Sequence, residues 1–384
     1  VQAFDPSVLR AVAMASGVSR IADITDLDRI GAPVVSAARP ASLSLAIAAG
    51  KGPTREAAAL SAVMEAFERH AAEIARLSTV RVSLTDAAAD PAFADAHALP
   101  RDRRVALSAT PRWVAARRLD GGGALHVPYD LVHLRQTVAE FSESDGFHTT
   151  TNGLAAAFDE TEAALHALCE LIERDALALA APPARGRGPL RGASIAASTV
   201  AEVDPFCAAL LHRCRAAGLV ARFRDLTTDI GVPVIHCRLA QAAGSELTVT
   251  RGEGVGCDPD PTVAARRALT EAAQSRLVVI AGARDDLSDR EYLDPPPVPD
   301  EQSPSSSVPL PTGSTGDAVS KLAWTLARLR GAGFTDAAIV VLAEGPAGVV
   351  ALRAVAPGLE GASIVPGYAP GARRRARSAA LAFR

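Results

Sequence analysis

Hydrophobic and polar positions along the chain follow two periods. Three long stretches, about 55–76, 159–180 and 261–282, repeat apolar residues every three to four positions, the spacing of one helix face. Shorter helices are predicted at 7–16, 204–217 and 318–332. Alternation towards strands occurs within 20–40 and at 42–49, 219–226, 232–241, 246–251, 337–343 and 348–355. Segments 113–119 and 125–132 form a hairpin across Asp120-Gly-Gly-Gly123. Gly50-Lys51-Gly52-Pro53-Thr54 reads as a turn, with Thr54 capping the helix that follows. Segment 85–100 reads as a connection with a short helix, 142–153 as polar chain with a turn at 149–153, and 182–193 as a loop. A flexible Pro/Ser/Gly-rich loop is predicted at 295–317, and the Arg-rich segment 373–377 as a frayed helix end. Strands on both sides of the long helices predict one α+β domain over 1–384, with antiparallel sheets rather than a doubly wound one.

Polar residues interrupt two of the long helices in the same way. Ser61-Ala-Val-Met-Glu65-Ala-Phe-Glu68-Arg69 and Glu170-Leu-Ile-Glu173-Arg174-Asp175 both place Glu-x-x-Glu-Arg in apolar surroundings. Ser61, Glu65, Glu68 and Arg69 share one helix face, as do Glu162, Glu170, Glu173 and Arg174. Neighbouring carboxylates repel and resist burial, so packing alone accounts poorly for a doubled motif. The repeat suggests an internal pseudo-repeat with a site between its halves. Four converging carboxylates suit divalent cations, and the adjacent arginines suit an anion; Mg²⁺ with a nucleotide polyphosphate satisfies both. The alternative is a pair of solvated faces carrying ordinary ion pairs. In the third helix Glu271, Gln274 and, more loosely, Arg267 share a face, and Arg276 either reaches phosphate or pairs with Glu271.

Composition narrows the choices. The chain has 384 residues, 48% of them hydrophobic, and a formal net charge of −3, which argues against a nucleic-acid coat or a basic membrane patch. All basic residues but Lys51 and Lys321 are arginine. Five cysteines form no Cys-x-x-Cys pair, which disfavours a zinc site and points to a reducing cytoplasm. No signal peptide or apolar run of membrane-spanning length appears. Gly50-Lys51-Gly52 is not a phosphate loop, because Leu45 stands where that loop needs its first glycine and Gly52 follows the lysine. No Gly-x-Ser-x-Gly elbow or His-Glu-x-x-His is present. His70 and His166 flank the glutamate motifs as ordinary packed histidines.

Taken in order, these motifs resemble the YcaO family. Gly50-Lys51-Gly52-x-Thr54 leads into 61–69; Thr151-Asn152-Gly153-Leu-Ala-Ala leads into Glu162 and 170–175; Glu271-Ala-Ala-Gln274-Ser-Arg276 is followed by Arg284-Asp285-Asp286 and by Pro357-Gly358-Leu359-Glu360. The resemblance covers about residues 17–368 and implies an ATP-binding fold without a Walker loop, its nucleotide site carried by long helices. It implies Glu65, Glu68, Glu170 and Glu173 as Mg²⁺ ligands. Ser61, Arg69, Asn152, Glu162, Arg174, Gln274 and Arg276 would contact ATP, and Arg20 would serve the phosphates. It also implies phosphorylation of a peptide amide oxygen, with a Cys, Ser or Thr nucleophile giving an azoline and external sulfide a thioamide.

Two features move the expectation away from the azoline branch, whose members often carry a leader-binding domain and a Pro-x-Pro-x-Pro tail. The chain starts directly in the YcaO-like region and ends Phe383-Arg384, not in a Pro-x-Pro-x-Pro tail. Segments 26–40 and 64–73 resemble members that work with a TfuA-like partner, a branch associated with thioamides. The expectation is therefore a cytoplasmic thioamide-forming enzyme acting on a precursor peptide or protein, with a possible TfuA-like partner and as a homodimer. The alternatives are an azoline-forming cyclodehydratase and a non-catalytic ATP- or leader-binding subunit.

Overall fold

A computed structural model describes residues 5–182, 190–241, 251–283 and 307–382. They divide into two compact units: Val1–Pro40, Leu45–Ala66 and Ala180–Ser314 in the first; Ala41–Ser44, Phe67–Leu179 and Thr315–Arg384 in the second. The three long helices run Arg55–Ile74, Glu160–Ala180 and Pro261–Ile280. The Thr54 hydroxyl accepts the Ala57 N–H, so it caps the first helix as its position predicts.

The first unit holds two antiparallel sheets. Strands Arg20–Asp23, Val34–Ala38 and Ile47–Lys51 lie in that order, with Ser36 opposite Ala49. Ala58, Ala62 and Ala66 of the first long helix pack on Val35, Ala37 and Ala48. Gly50 belongs to this strand and not to a turn. A Cβ there would lie 2.0 Å from the Ala62 nitrogen, so glycine serves helix–strand approach. The second sheet orders Arg251–Cys257, Val234–Gln241, Leu219–Asp225 and Ala193–Ile195. Phe223, Ile235, Cys237 and Leu239 face a core shared with Leu210, Leu211, Ala268 and Leu269. The strand expected at 246–251 lies almost wholly outside the described residues; the observed one is Arg251–Cys257. A helix at Ala197–Val203 was not legible in the sequence. All five cysteines are buried and free. Burial pushes the Cys214 thiol up to about 12, so it behaves as a core residue.

The second unit is built on a six-stranded antiparallel sheet. Its path runs Thr79–Arg81, Arg112–Arg118, Ala338–Glu344, Val350–Val355 and Leu154–Ala157, with Ala124–Pro128 pairing off Arg112–Arg118 as the predicted hairpin. The strand expected over 42–49 begins only at Ile47. Ser42 and Ser44 instead donate their hydroxyls to Glu73 Oε1 at 2.7 and 2.5 Å. The Arg-rich segment is no frayed end: Ala372–Ala382 is a helix whose start is held by Glu360. That carboxylate accepts from Gly371 N, Arg374 N and Tyr368 Oη at 2.7–2.8 Å, an anion at a helix N-terminus. Arg373 pairs with the fully buried Asp175 at 3.0 Å. Residues 183–189 and 295–306, expected as loops, lie outside the described residues. Among the described residues no helix is long and apolar enough to cross a membrane.

His133 stacks on Tyr129 with ring centroids 4.4 Å apart and is 3% exposed. Burial, with Arg112, Arg353 and Arg135 nearby, pushes its pKa down to about 3. In the unfolded chain the ring takes a proton near 6.5, whereas in the folded chain it stays neutral. The stability it contributes is therefore full above 6.5 and is lost as pH falls towards 3. Between pH 8 and pH 5 this one residue should cost about 2 kcal/mol. Urea melts of wild type and His133→Gln at both pH values check this: the pH-dependent loss should shrink by that amount in the variant.

Candidate functional site

In the first unit, strand Ile47–Lys51 is a sheet edge, and its outward backbone groups find side chains. Ala49 N–H donates to Glu65 Oε2 at 3.2 Å, and Gln274 Nε2 donates to the Ala49 carbonyl. Lys51 Nζ lies 2.7 Å from Glu271 Oε2. Glu65 and Gln274, singled out on different helices, thus meet at one residue of an edge strand. Arg276 turns elsewhere. It is 3% exposed and makes a two-pronged contact with Asp28 at 2.7 and 3.3 Å, so its partner is not Glu271. Arg20 is exposed on an outer strand and Ser61 is half-buried.

The second unit repeats the device. Strand Leu154–Ala157 is again a sheet edge, and Ala156 N–H donates to Glu68 Oε1 at 2.9 Å. Asp159 accepts the Glu162 N–H and opens the second long helix, leaving Glu162 half-buried on its first turn. Further along, Arg174 lies 3.5 Å from Glu170 and 3.2 Å from Glu173. The Glu170 side chain keeps about a fifth of its exposure (21%), yet enough protein surrounds it for burial to raise its pKa. Arg174, Arg353 and the Gly153 N–H oppose that rise. Arg69 is half-buried. Asn152 precedes Gly153, which adopts φ +78°; a Cβ at Gly153 would lie 2.5 Å from the Ala354 carbonyl oxygen, so the turn requires glycine. The Asn152 side-chain oxygen is buried without a hydrogen-bond partner.

Sequence reasoning missed Arg353. It lies in strand Val350–Val355 at 1% exposure, donates Nη1 to the Asn152 carbonyl at 2.7 Å, and feels the charges of Glu170 and Glu68. The available signal was a lone arginine in the apolar run Val-Ala-Leu-Arg353-Ala-Val. Among the described residues no three His, Cys, Asp or Glu side chains gather as a formed metal cluster. Each glutamate is held individually by a backbone N–H or by Arg174. The donor set fits Mg²⁺ chemically: carboxylate oxygens supply hard ligands, and the unpartnered Asn152 oxygen lies in the same unit.

A family model described as YcaO cyclodehydratase, ATP- and Mg²⁺-binding, matches residues 49–360. The chain belongs to the YcaO family. Its cofactors are ATP and Mg²⁺. A protein of Methanothermobacter thermautotrophicus is 35% identical over 368 residues, 91% of each chain. A protein of Rhizobium leguminosarum bv. trifolii, known as an uncharacterized protein in the tfuA 3′ region, is 36% identical over 72% of this chain and 66% of its own length. Among solved structures, YcaO from Methanopyrus kandleri bound with AMPPCP and Mg²⁺ superposes with TM-score 0.61 at 21% identity, covering 91% of this chain and 88% of that one. A heterocyclase in complex with substrate and cofactor reaches TM-score 0.70 at 19% identity, over 92% of this chain and 52% of its own. This chain therefore spans about two thirds of the Rhizobium relative and about half of the heterocyclase chain. The YcaO fold, mixed helix and antiparallel sheet, is the α+β architecture that the hydrophobic pattern predicts.

Proposed function

We propose that this YcaO protein uses ATP to activate a backbone amide of a ribosomal peptide or protein and converts it to a thioamide. The observation that carries the thioamide reading is the 36%-identical relative in the tfuA 3′ region. It also supports a TfuA-like partner; a homodimer and a cytoplasmic location complete the reading. We take residues 1–384 as one catalytic domain, because each unit carries part of the motif set.

In this reading Glu65, Glu68, Glu170 and Glu173 hold Mg²⁺. Ser61, Arg69, Asn152, Glu162, Arg174, Gln274 and Arg20 contact ATP, and Arg276, held by Asp28, reaches it with the Nη1 that has no partner among the described residues. Mg·ATP supplies the phosphoryl group that turns an amide oxygen into a leaving group. Sulfide adds to the amide carbon, the oxygen departs as phosphate, and ATP becomes ADP. The chain contributes positioning and charge and requires no covalent nucleophile of its own. Ala156 N–H fixes the Glu68 carboxylate, and Arg174 sets Glu170 and Glu173 side by side. Lys51 and Gln274 hold the edge strand that orients Glu65.

The family description as a cyclodehydratase favours a second reading, azoline formation on Cys, Ser or Thr. Mass spectrometry separates the two when the chain is incubated with a candidate peptide, Mg·ATP, sulfide and a TfuA-like protein. The expected product has exchanged oxygen for sulfur, and ¹⁸O placed in the reacting amide should appear in the released phosphate. Loss of one water without sulfur would establish the azoline reading. Nucleotide binding without any product would leave the non-catalytic subunit.

A further inference from the structure

A buried guanidinium is costly unless its donors are satisfied and its charge is paired, because arginine stays protonated even where burial opposes it. Arg353 meets neither condition within the protein. Its Nη1 reaches the Asn152 carbonyl, but Nε and Nη2 have no hydrogen-bond partner, and among the described residues no carboxylate stands within ion-pair distance. Its strand neighbours Ala351, Leu352, Ala354 and Val355 are buried with it. Glu170 and Glu68 act on it only through space. Arg39, Asp175 and Asp204 are also buried and charged, yet each has bonded partners. Arg353 thus carries two unmet donors, feels two proposed cation ligands through space, and is bonded through Nη1 to a residue whose own side-chain oxygen also lacks a partner.

Resting on the ATP reading above, we propose that Arg353 is a nucleotide-binding residue whose Nε and Nη2 donate to a phosphoryl oxygen of Mg·ATP. The environment selects that ligand class. A bare anion would meet the repulsion of Glu68 and Glu170, whereas a polyphosphate carried with its cation brings positive charge for the carboxylates and acceptor oxygens for the guanidinium. Arg353 also ties the Asn152 loop to the sheet, so nucleotide and loop share one anchor.

The test is calorimetry on the full chain with a non-hydrolysable ATP analogue plus Mg²⁺, and with Mg²⁺ alone. Arg353→Lys keeps the charge that Glu68 and Glu170 feel, so it should fold, but it loses the planar fork of donors. Its affinity for the Mg²⁺–nucleotide pair should fall about tenfold or more, while its response to Mg²⁺ alone stays that of wild type. Arg353→Gln should lose more nucleotide affinity where thermal melts show it folded. Wild-type nucleotide affinity in Arg353→Lys would overturn the proposal while leaving the ATP reading intact. A parallel loss of the Mg²⁺-alone response would also overturn it, by assigning Arg353 to shaping the carboxylates. If wild type itself binds no Mg²⁺–nucleotide, the ATP reading falls instead.

Discussion

Glu68→Gln and Glu173→Gln should each remove measurable Mg·ATP binding while leaving the chain folded. Glu68 takes the Ala156 N–H through one carboxylate oxygen, and a glutamine carbonyl can accept the same bond. The edge strand therefore keeps its partner, and the variant loses charge rather than structure. Glu173 is 8% exposed and paired with Arg174 at 3.2 Å. In Glu173→Gln the guanidinium still has Glu170 beside it, so the stability cost should stay near 1 kcal/mol. The electrostatic effect on the ligand is much larger. Arg174 lies beside Glu170 and Glu173, and Arg353 feels Glu170 and Glu68 through space, so in the proposed site removing one of the three negative charges leaves a set no longer inviting to a divalent cation. Affinity should drop at least about a hundredfold by calorimetry, equivalent to about 2.7 kcal/mol, with circular dichroism and melting close to wild type. Wild-type affinity in either variant would sink the metal assignment at that position.

The elements that periodicity made legible are those with long repeats. The three long helices appear within a few residues of their expected ends because apolar spacing and caps such as Thr54 agree. The doubled Glu-x-x-Glu-Arg was legible as chemistry. The pairing that defines its geometry was not, because an edge strand's free N–H is invisible in sequence. Glu65 and Glu68 lie one helical turn apart yet bind Ala49 and Ala156, more than a hundred residues apart in the chain. Arg276 was assigned by its motif neighbours, but Asp28 takes it from far upstream, a contact that no local spacing reveals. Arg353 escaped notice because a single arginine in an apolar strand reads as an outward-facing residue at an edge. Glu360, found in a family motif, turns out to anchor the last helix.

A glycine-rich strand that the hydrophobic pattern did not anticipate carries the largest expected structural effect. Arg251-Gly-Glu-Gly-Val-Gly-Cys257 has little intrinsic strand preference, since alternate glycines carry no side chain to bury. Tertiary packing makes it a strand. Gly252, Gly254 and Gly256 face the helix positions Ala272, Ala268 and Ala264, each one turn nearer the helix N-terminus, so backbone lies directly on backbone. A Cβ on Gly254 would stand 2.3 Å from the Ala272 nitrogen and 2.4 Å from the Ala268 carbonyl oxygen. Both are main-chain atoms of the helix and cannot swing aside as a side chain would. Gly254→Val should therefore destabilise the chain by more than about 3 kcal/mol, seen as loss of the cooperative melt or of soluble protein. Gly254→Ala, milder, should displace helix Pro261–Ile280 from the strand, with Glu271 and Gln274 losing register against Lys51 and Ala49. Its signature should be a lowered melting temperature together with weakened Mg·ATP binding. A Gly254→Ala protein that melts and binds like wild type would show that the helix can retreat without moving Gln274, and would separate the packing of this helix from the proposed nucleotide site.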